Sequence, residues 1–302
     1  MSDKVERLDR AFVSSLSSEE RAALVARSDL AGLRHLAFHL GLIVLTSGLI
    51  LGDAPFLLLW VLLQGIFLIA LFAPLHETIH RTAFRSLWLN LAVSYVAGFI
   101  LFMVPGWFRH FHLAHHAFTQ DAGRDPELLS PKPRTVGEYL RHLTGMRVWY
   151  QQFRALFRLV WGAERDSYIP VSGEGRVRLE ARIFVVLYVV LFVGSIVLGS
   201  ATLLWLWLIP VLLGQPFLRL YLLAEHGGCP LVLDMIRNTR TTVSNVFVRF
   251  LMWNMPYHTE HHIYPTVPFH RLPRLHRLAS GHLVHCERGY ASFHRHFVKE
   301  LN

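Results

Sequence analysis

The chain has 302 residues, of which 53% are hydrophobic and only 17% are charged. Soluble domains usually carry about 25% charged residues, so this composition argues against an ordinary soluble globular protein. The net charge is +9, but the basic residues lie between long apolar runs, which favours contact with anionic lipid headgroups over contact with nucleic acid. Cys229 and Cys286 are too few for a disulfide framework.

The N-terminal residues 1–32 are polar and mixed in charge. Ser17, followed by Glu19 and Glu20, is typical of a helix that begins with acidic residues in its first turn. Because this segment directly precedes the first apolar run, we predict a cytoplasmic N-terminal helix that lies near the membrane surface.

Two apolar runs follow, residues 33–51 and 56–75, and each is about long enough to span a bilayer. The short polar turn 52–55 separates them. We therefore predict a transmembrane helical hairpin over residues 33–75. This hairpin returns the chain to the side of the membrane on which it began.

The apolar segment 87–104 presents a topological problem, because it lies between the first two of three histidine clusters. A single crossing would leave these clusters on opposite sides of the membrane, yet the ligands of one metal site must converge. We therefore predict a re-entrant or interfacial segment that comes back to the starting side. Irregular backbone at membrane depth is tolerated where protein surrounds it.

The remaining chain predicts a polar lobe, a second transmembrane hairpin and a polar C-terminal part, which are residues 105–180, 183–224 and 225–302. Pro210, Gly214 and Pro216 interrupt the last apolar run and predict a kink. The Arg-rich segments all fall on one predicted side, whereas the two hairpin turns carry no Lys or Arg. By the positive-inside rule that basic side is cytoplasmic.

The predicted fold class is therefore an all-α integral membrane protein. Four transmembrane helices form two hairpins, a re-entrant or interfacial segment joins them, and a cytoplasmic helical cap carries the functional site. We predict one domain over residues 1–302, with both termini in the cytoplasm.

Three histidine clusters stand beside apolar segments: HETIH at 76–80, HLAHH at 112–116 and HTEHH at 258–262. Residues three and four apart share a face of a helix, so the histidines of each cluster can point at one metal ion. Neutral imidazole suits iron, zinc, copper and nickel, and one tetrahedral zinc needs only four ligands. Eight histidines therefore predict two metal ions: His76, His80, His112, His115, His116, His258, His261 and His262.

His226 is a ninth candidate ligand, because it stands at the cytoplasmic end of the last apolar run. Its alternative role is that of a helix-terminal histidine stabilised by the helix dipole. Carboxylates that accept the outer N–H of metal-binding imidazoles would orient them, and four candidates are Glu77, Asp125, Glu225 and Glu260. The C-terminal histidines around Cys286 match no closed zinc pattern, and we predict a solvated tail there.

Two other classes of function remain open on the residues alone. The first cluster also matches the H-E-x-x-H pattern of zinc proteases, in which Glu77 would be the general base. That interpretation assigns nothing to the other two clusters. A metal transporter would need polar or ionisable residues at mid-membrane depth, and only Gln64 and Gln215 qualify.

The three clusters closely resemble the histidine boxes of the membrane fatty acid desaturase and hydroxylase superfamily, in the same order and with similar spacing. Asp125-Pro126-Glu127 resembles an acidic element that follows the second box in many desaturases. The stretches 238–242 and 253–257 are similar to a bacterial branch whose members act on fatty acyl chains, aminolipids or small amphiphiles. The resemblance covers about residues 33–275.

The resemblance implies a non-haem di-iron oxidoreductase that uses O2 to oxidise an unactivated C–H bond. The implied reaction is introduction of a double bond into a fatty acyl or lipid chain, with hydroxylation of a lipid or small apolar substrate as the alternative. It also implies a ligand between the second and third boxes, which His226 matches. Some relatives carry an Asn four residues before that histidine, where this chain has Leu222.

The resemblance further implies a location in the bacterial inner membrane and a lipid or acyl substrate. Electrons are expected from a separate protein, a ferredoxin or a cytochrome b5-like donor with its reductase, because the sequence has no His-Pro-Gly-Gly haem motif. Aromatic residues around the boxes are candidates for the lining of an acyl channel: Phe72, Trp107, Phe108, Phe111, Trp253 and Tyr257.

Overall fold

A computed structural model of the protein describes residues 7–162 and 165–302 and is mostly helical. The first six residues of the predicted N-terminal helix lie outside this part of the chain. Before the second hairpin the helices are α1 (Leu8–Ser15), α2 (Ser18–Leu24), α3 (Asp29–Leu51), α4 (Leu57–Ala70), α5 (Phe72–His80), α6 (Leu87–Ile100), α7 (Pro105–Phe118), α8 (Val136–Leu143) and α9 (Met146–Trp161).

The second half of the chain continues with α10 (Val171–Val197), a π-helical turn (Leu204–Leu208), α11 (Ile209–His226), α12 (Met235–Asn238), β1 (Arg240–Val243), α13 (Val246–Leu251), α14 (His258–Ile263), α15 (Leu272–Ala279), β2 (His285–Arg288) and α16 (Tyr290–Lys299). Two short 3₁₀ helices cover Pro126–Leu129 and Phe269–Arg271.

Within residues 7–162 and 165–302, four helical segments are long and apolar enough to cross a membrane: Ser18–Leu51, Leu57–His80, Val171–Val197 and Leu204–His226. These candidate spans agree with the four transmembrane helices predicted from the sequence. Large apolar side chains on these segments are exposed, among them Val44, Leu58 and Ile196. An exposed apolar surface on a long helix is expected where lipid, rather than water, surrounds it.

Helices α6 and α7 taken together are also long and apolar enough to cross a membrane, but their axes are bent by 100° at the short break between them. Pro105 begins α7, where its missing N–H costs no helical hydrogen bond. Phe102 adopts the left-handed conformation (φ 57°) within the break. A bend of this size is what a segment that returns to its starting side requires, and the re-entrant placement stays a prediction.

The irregular start of α11 has a direct chemical cause. Pro210 has no N–H, so the carbonyl oxygen of Leu206 lacks its helical donor. The side-chain Nε2 of Gln64, on α4, donates to that oxygen at 3.1 Å and to Ser47 Oγ at 3.0 Å. The polar side chain of Gln64 on α4 thus satisfies a backbone group at the start of the last apolar helix.

The all-α prediction was wrong in one detail, because β1 and β2 form a two-stranded parallel sheet that pairs Arg240 with His285. The predicted solvated C-terminal tail was also wrong. Helix α16 packs against α8 and α11 through Phe293 and Phe297, both buried. His294 Nε2 bonds the carbonyl oxygen of Leu220 at 2.9 Å, which further fixes the C-terminal helix.

Candidate metal centre

The three histidine clusters lie on three helices that meet in the interior. The first cluster forms the last two turns of α5, the second the last two turns of α7, and the third opens α14. His226 is the last residue of α11. All nine predicted ligands converge here and are buried or half-buried. They form two groups of side chains.

The first group holds five imidazoles whose nitrogens all lie within 4.8 Å of one another: His76, His80, His112, His116 and His261. The Nε2 atoms of His76 and His261 are 2.8 Å apart, and His112 Nε2 is 2.9 Å from both His80 Nε2 and His116 Nε2. Metal–nitrogen bonds of about 2.1 Å place adjacent ligand atoms about 3 Å apart and opposite ones about 4 Å apart. The nitrogens therefore fit around one ion.

The second group contains His115, His226 and His262, whose ligand atoms lie within 4.8 Å of one another. His115 Nε2 lies 3.3 Å from His226 Nε2. We add His258 to this group because its Nε2 atom lies 3.1 Å from His262 Nε2. The group could hold a second ion beside the first.

The expectation that each cluster serves one ion does not hold. The first group takes His112 and His116, four residues apart on α7, while His115 turns to the second group. Likewise, His261 joins the first group, whereas its neighbour His262 joins the second. Successive residues on a helix are rotated by about 100°, so two adjacent histidines face two different groups.

In the second group, the hydrogen bonds donated by the Nδ1 atoms show that the Nε2 atoms, which face inward, carry lone pairs. His115 Nδ1 donates to Asp125 Oδ1 at 2.9 Å, and His226 Nδ1 donates to the carbonyl oxygen of Asn238 at 3.1 Å. Thr119 Oγ1 donates to the carbonyl of His115, so it accepts from His262 Nδ1 at 3.2 Å. Lone pairs facing one point repel unless a cation lies between them, and the donor set therefore fits a bound metal.

The four carboxylates predicted to orient imidazoles divide into two pairs. Asp125 contacts His115, and Glu225 Oε1 lies 3.2 Å from His258 Nδ1. The other two have different partners. Glu77 Oε1 accepts the backbone N–H of Phe269 at 3.1 Å. Glu260 bonds His276, which lies in neither group, and Thr241 Oγ1.

Burial sets the protonation of the third cluster. It lowers the pKa of His261 well below the ordinary value, and positive charge on His80 and His115 would lower it further. The pKa of His262 is lowered in the same way by burial and by His258. Neutral imidazole is the form that binds metal, so this environment favours ligation.

Sequence reasoning missed three contacts at this centre: the Asn238 carbonyl, the Thr119 hydroxyl and the Glu127 carboxylate. Thr119 lies four residues after His115, a spacing that could have indicated it. Glu127 belongs to the acidic element noted in the sequence, but only Asp125 was given a role. Nothing local in the sequence pointed to a backbone carbonyl twelve residues beyond His226.

A cavity of about 970 Å³ opens onto both groups, through His76 and His112 of the first and His115 and His258 of the second. Four of the six aromatic candidates line it: Phe72, Trp107, Phe108 and Phe111. Trp253 and Tyr257 do not. Trp253 is fully buried against Phe269, and Tyr257 stacks on His276.

The wall of the cavity also carries many cationic side chains. Two of them, Lys132 and Arg158, are paired with Glu127 and Asp166. Further cationic side chains line the same cavity: Arg134, Arg141, Arg147, Arg154 and Arg219. The cavity lining therefore combines histidines, aromatic rings and more cationic than acidic side chains.

Comparison with known proteins is consistent with this site. The chain is 22% identical over 228 residues to an acyl-lipid (9-3)-desaturase of Physcomitrium patens, an alignment that covers 66% of this chain and 43% of that protein. The chain thus spans less than half the length of this curated relative. The profile described as fatty acid desaturase matches residues 54–295, which include all nine histidines. The protein belongs to the fatty acid desaturase family.

Proposed function

We propose that this protein is a membrane oxidase that introduces a double bond into a fatty acyl chain of a lipid, with two iron ions and O2. The observation that supports it most directly is the convergence of nine imidazoles beside a cavity that is lined by aromatic rings and cationic side chains. Imidazole nitrogen is a suitable ligand for iron. Two irons held there would supply the activation of O2 needed to remove hydrogen from an unactivated C–H bond.

The protein's own contribution is to position the ions and the substrate. Five imidazoles would hold the first ion and four the second, with Asp125 and the Asn238 carbonyl fixing two of the rings. The rings of Phe72 and Phe108 lie 5.5 Å apart and are tilted by 54°, and the ring of Phe108 lies 5.5 Å from that of His112. An acyl chain packed against these rings would be held next to the histidines and shielded from water.

The cationic side chains of the cavity wall support a substrate with an anionic headgroup. Arg147 and Arg154 line the same cavity as the half-buried Arg219. Arginine binds phosphate and carboxylate through paired N–H donors. We infer that the headgroup sits here while the chain reaches the histidines.

Hydroxylation of the same substrate is the second candidate, because both reactions begin with the removal of one hydrogen atom from the chain. The aminolipids accepted by some relatives fit it less well, since a zwitterionic headgroup gains less from this basic wall. The zinc-protease alternative is not favoured. The Glu77 carboxylate bonds the Phe269 backbone N–H, whereas a general base must reach the metal-bound water.

We further propose that the histidine side faces the cytoplasm of a bacterium with the protein in its inner membrane. The Arg-rich segments lie on that side in the predicted topology. A separate electron donor, a ferredoxin or a cytochrome b5-like protein with its reductase, would dock there.

Mass spectrometry of lipids from expressing cells tests the proposal. Loss of two hydrogens from an acyl chain is the expected result, whereas gain of one oxygen would identify a hydroxylase. His261→Ala is the matched inactive variant, because it removes a ligand without altering the cavity wall. Identical lipid profiles from wild-type and variant cells would contradict both reactions.

A further inference from the structure

The two groups of histidines are unequal, and the second lacks one ligand relative to the first. Five imidazoles surround the first position and four the second. Leu222, on the helical turn before His226, is apolar and supplies no donor. A fifth protein ligand for the second ion would therefore come from another part of the chain.

The Glu127 carboxylate lies where that ligand is needed. Its Oε2 atom is 3.2 Å from His115 Nε2, about the separation expected between adjacent ligands of one ion. The same nitrogen faces His226 Nε2 at 3.3 Å. The carboxylate oxygen therefore lies beside His115 Nε2 at the edge of the second group, next to the three histidines whose ligand atoms lie within 4.8 Å of one another.

A hydrogen bond from neutral His115 cannot explain why its Nε2 atom lies so close to the Glu127 carboxylate. The His115 Nδ1 proton is donated to Asp125. In neutral His115 the Nε2 atom then carries a lone pair, which cannot donate to a carboxylate. The lone pair of His115 Nε2 and the negative charge of Glu127 Oε2 repel each other at 3.2 Å. The arrangement therefore requires either a second proton on the His115 ring or a cation between the two atoms.

The local structure holds Glu127 for this role. Asp125 caps the 3₁₀ helix by accepting the backbone N–H of Glu127 at 2.9 Å, and Pro126 restricts the backbone between them. Lys132 Nζ bonds the other carboxylate oxygen, Oε1, at 2.6 Å. One oxygen is thus anchored to a lysine, and the other is directed at the second group.

We propose that Glu127 is a direct ligand of the second metal ion through Oε2, so that one ion is bound by five imidazoles and the other by four imidazoles and a carboxylate. The inference rests on the proposed two-metal site, but not on the proposed substrate. The carboxylate lowers the charge of the second site by one, which makes the two ions chemically distinct.

The test uses the full-length protein in detergent, reconstituted anaerobically with ⁵⁷Fe(II). Wild-type protein should bind two irons and give two Mössbauer doublets of equal area. Glu127→Gln should weaken binding of one iron by at least about 10-fold and alter one doublet while leaving the other unchanged. The control is Glu174→Gln, which removes a carboxylate from an equally short ion pair with Arg178, away from the histidines.

Glu127→His provides an independent test should the glutamine variant not fold. It replaces the carboxylate by an imidazole and should retain two irons while making the two doublets alike. A Glu127→Gln or Glu127→His protein with wild-type affinities and spectrum would overturn the proposal and leave His115 as an imidazolium between two carboxylates. Binding of fewer than two irons by the wild type would instead reject the two-metal site itself.

Discussion

The backbones of Gly65 and Gly214 are in direct contact where α4 crosses α11. A Cβ atom on Gly65 would lie 2.1 Å from the carbonyl oxygen of Pro210, and one on Gly214 would lie 2.2 Å from the carbonyl oxygen of Gly65. Because both obstacles are backbone atoms, no side-chain rotation relieves the clash. This crossing joins the two predicted hairpins through α4 and α11, the helix that ends at His226.

We expect Gly65→Ala and Gly214→Ala each to lower the free energy of unfolding by about 3 kcal/mol, at the upper end of the cost of overpacking. The measurement is the thermal unfolding midpoint in detergent. Gly48→Ala is the matched control, since a Cβ atom there meets nothing within 4 Å. Equal midpoints for Gly65→Ala and Gly48→Ala would exclude the close crossing.

Substitution of His226 tests the ninth ligand. His226→Ala should leave the protein folded but abolish turnover and lower bound iron, because it opens a position at the second ion. Even substitutions that act through a ligand typically cost about 10–100-fold in affinity or activity. His282→Ala, at an exposed position, is the control. His142 is unsuitable because it lines the cavity. Wild-type iron content in His226→Ala would leave eight histidine ligands and show that His226 does not bind metal.

Asp125→Asn keeps the shape of the side chain but replaces a carboxylate acceptor by an amide. The His115 ring would lose its charged partner, and we expect metal affinity and turnover to fall about 10–100-fold. The comparison variant is Asp121→Asn, which removes an exposed carboxylate paired only with Arg124 and nearby backbone. Titration with iron compares the metal affinities of the Asp125→Asn and Asp121→Asn proteins. Equal iron affinities would show that Asp125 does not support metal binding by His115.

The predicted topology can be checked by accessibility of single cysteines in a variant that lacks Cys229 and Cys286. Positions 53 and 200 should be labelled from outside the cell, and positions 81, 134 and 302 only from the cytoplasm. Labelling at position 109 tests whether α6 and α7 return to the starting side of the membrane. If it is labelled from the same side as position 53, then residues 87–104 cross the membrane and the re-entrant prediction is wrong.

Acid should destabilise the protein in part through His142. Burial, with the positive charges of Arg219 and Lys132, lowers its pKa from 6.5 to about 4. The unfolded chain therefore binds a proton that the folded one does not, so stability is complete above pH 6.5 and falls as pH drops toward 4. His142→Gln should reduce that loss by about 1–2 kcal/mol, allowing for partial exposure. Unfolding midpoints at pH 7 and 5 for both proteins provide the comparison.

Patterns of near neighbours in the sequence were sufficient to predict the four membrane-spanning helices and the family. Apolar runs of sufficient length become long helices because lipid leaves no other partner for backbone N–H and C=O groups. Histidines three and four residues apart lie on one helix face, so the ligand candidates could be named in advance. Ser17 and Glu20 likewise form the capping box at the start of α2.

Only the tertiary structure decided how the histidines are divided between two positions. His115 and His116 are adjacent in the sequence, yet they face different groups because α7 lies between α5 and α11. The roles of Asn238, Thr119 and Glu127 depend on distances between segments far apart in the chain. Helix periodicity reports which face a residue occupies, whereas the packing of one helix on another decides what that face meets.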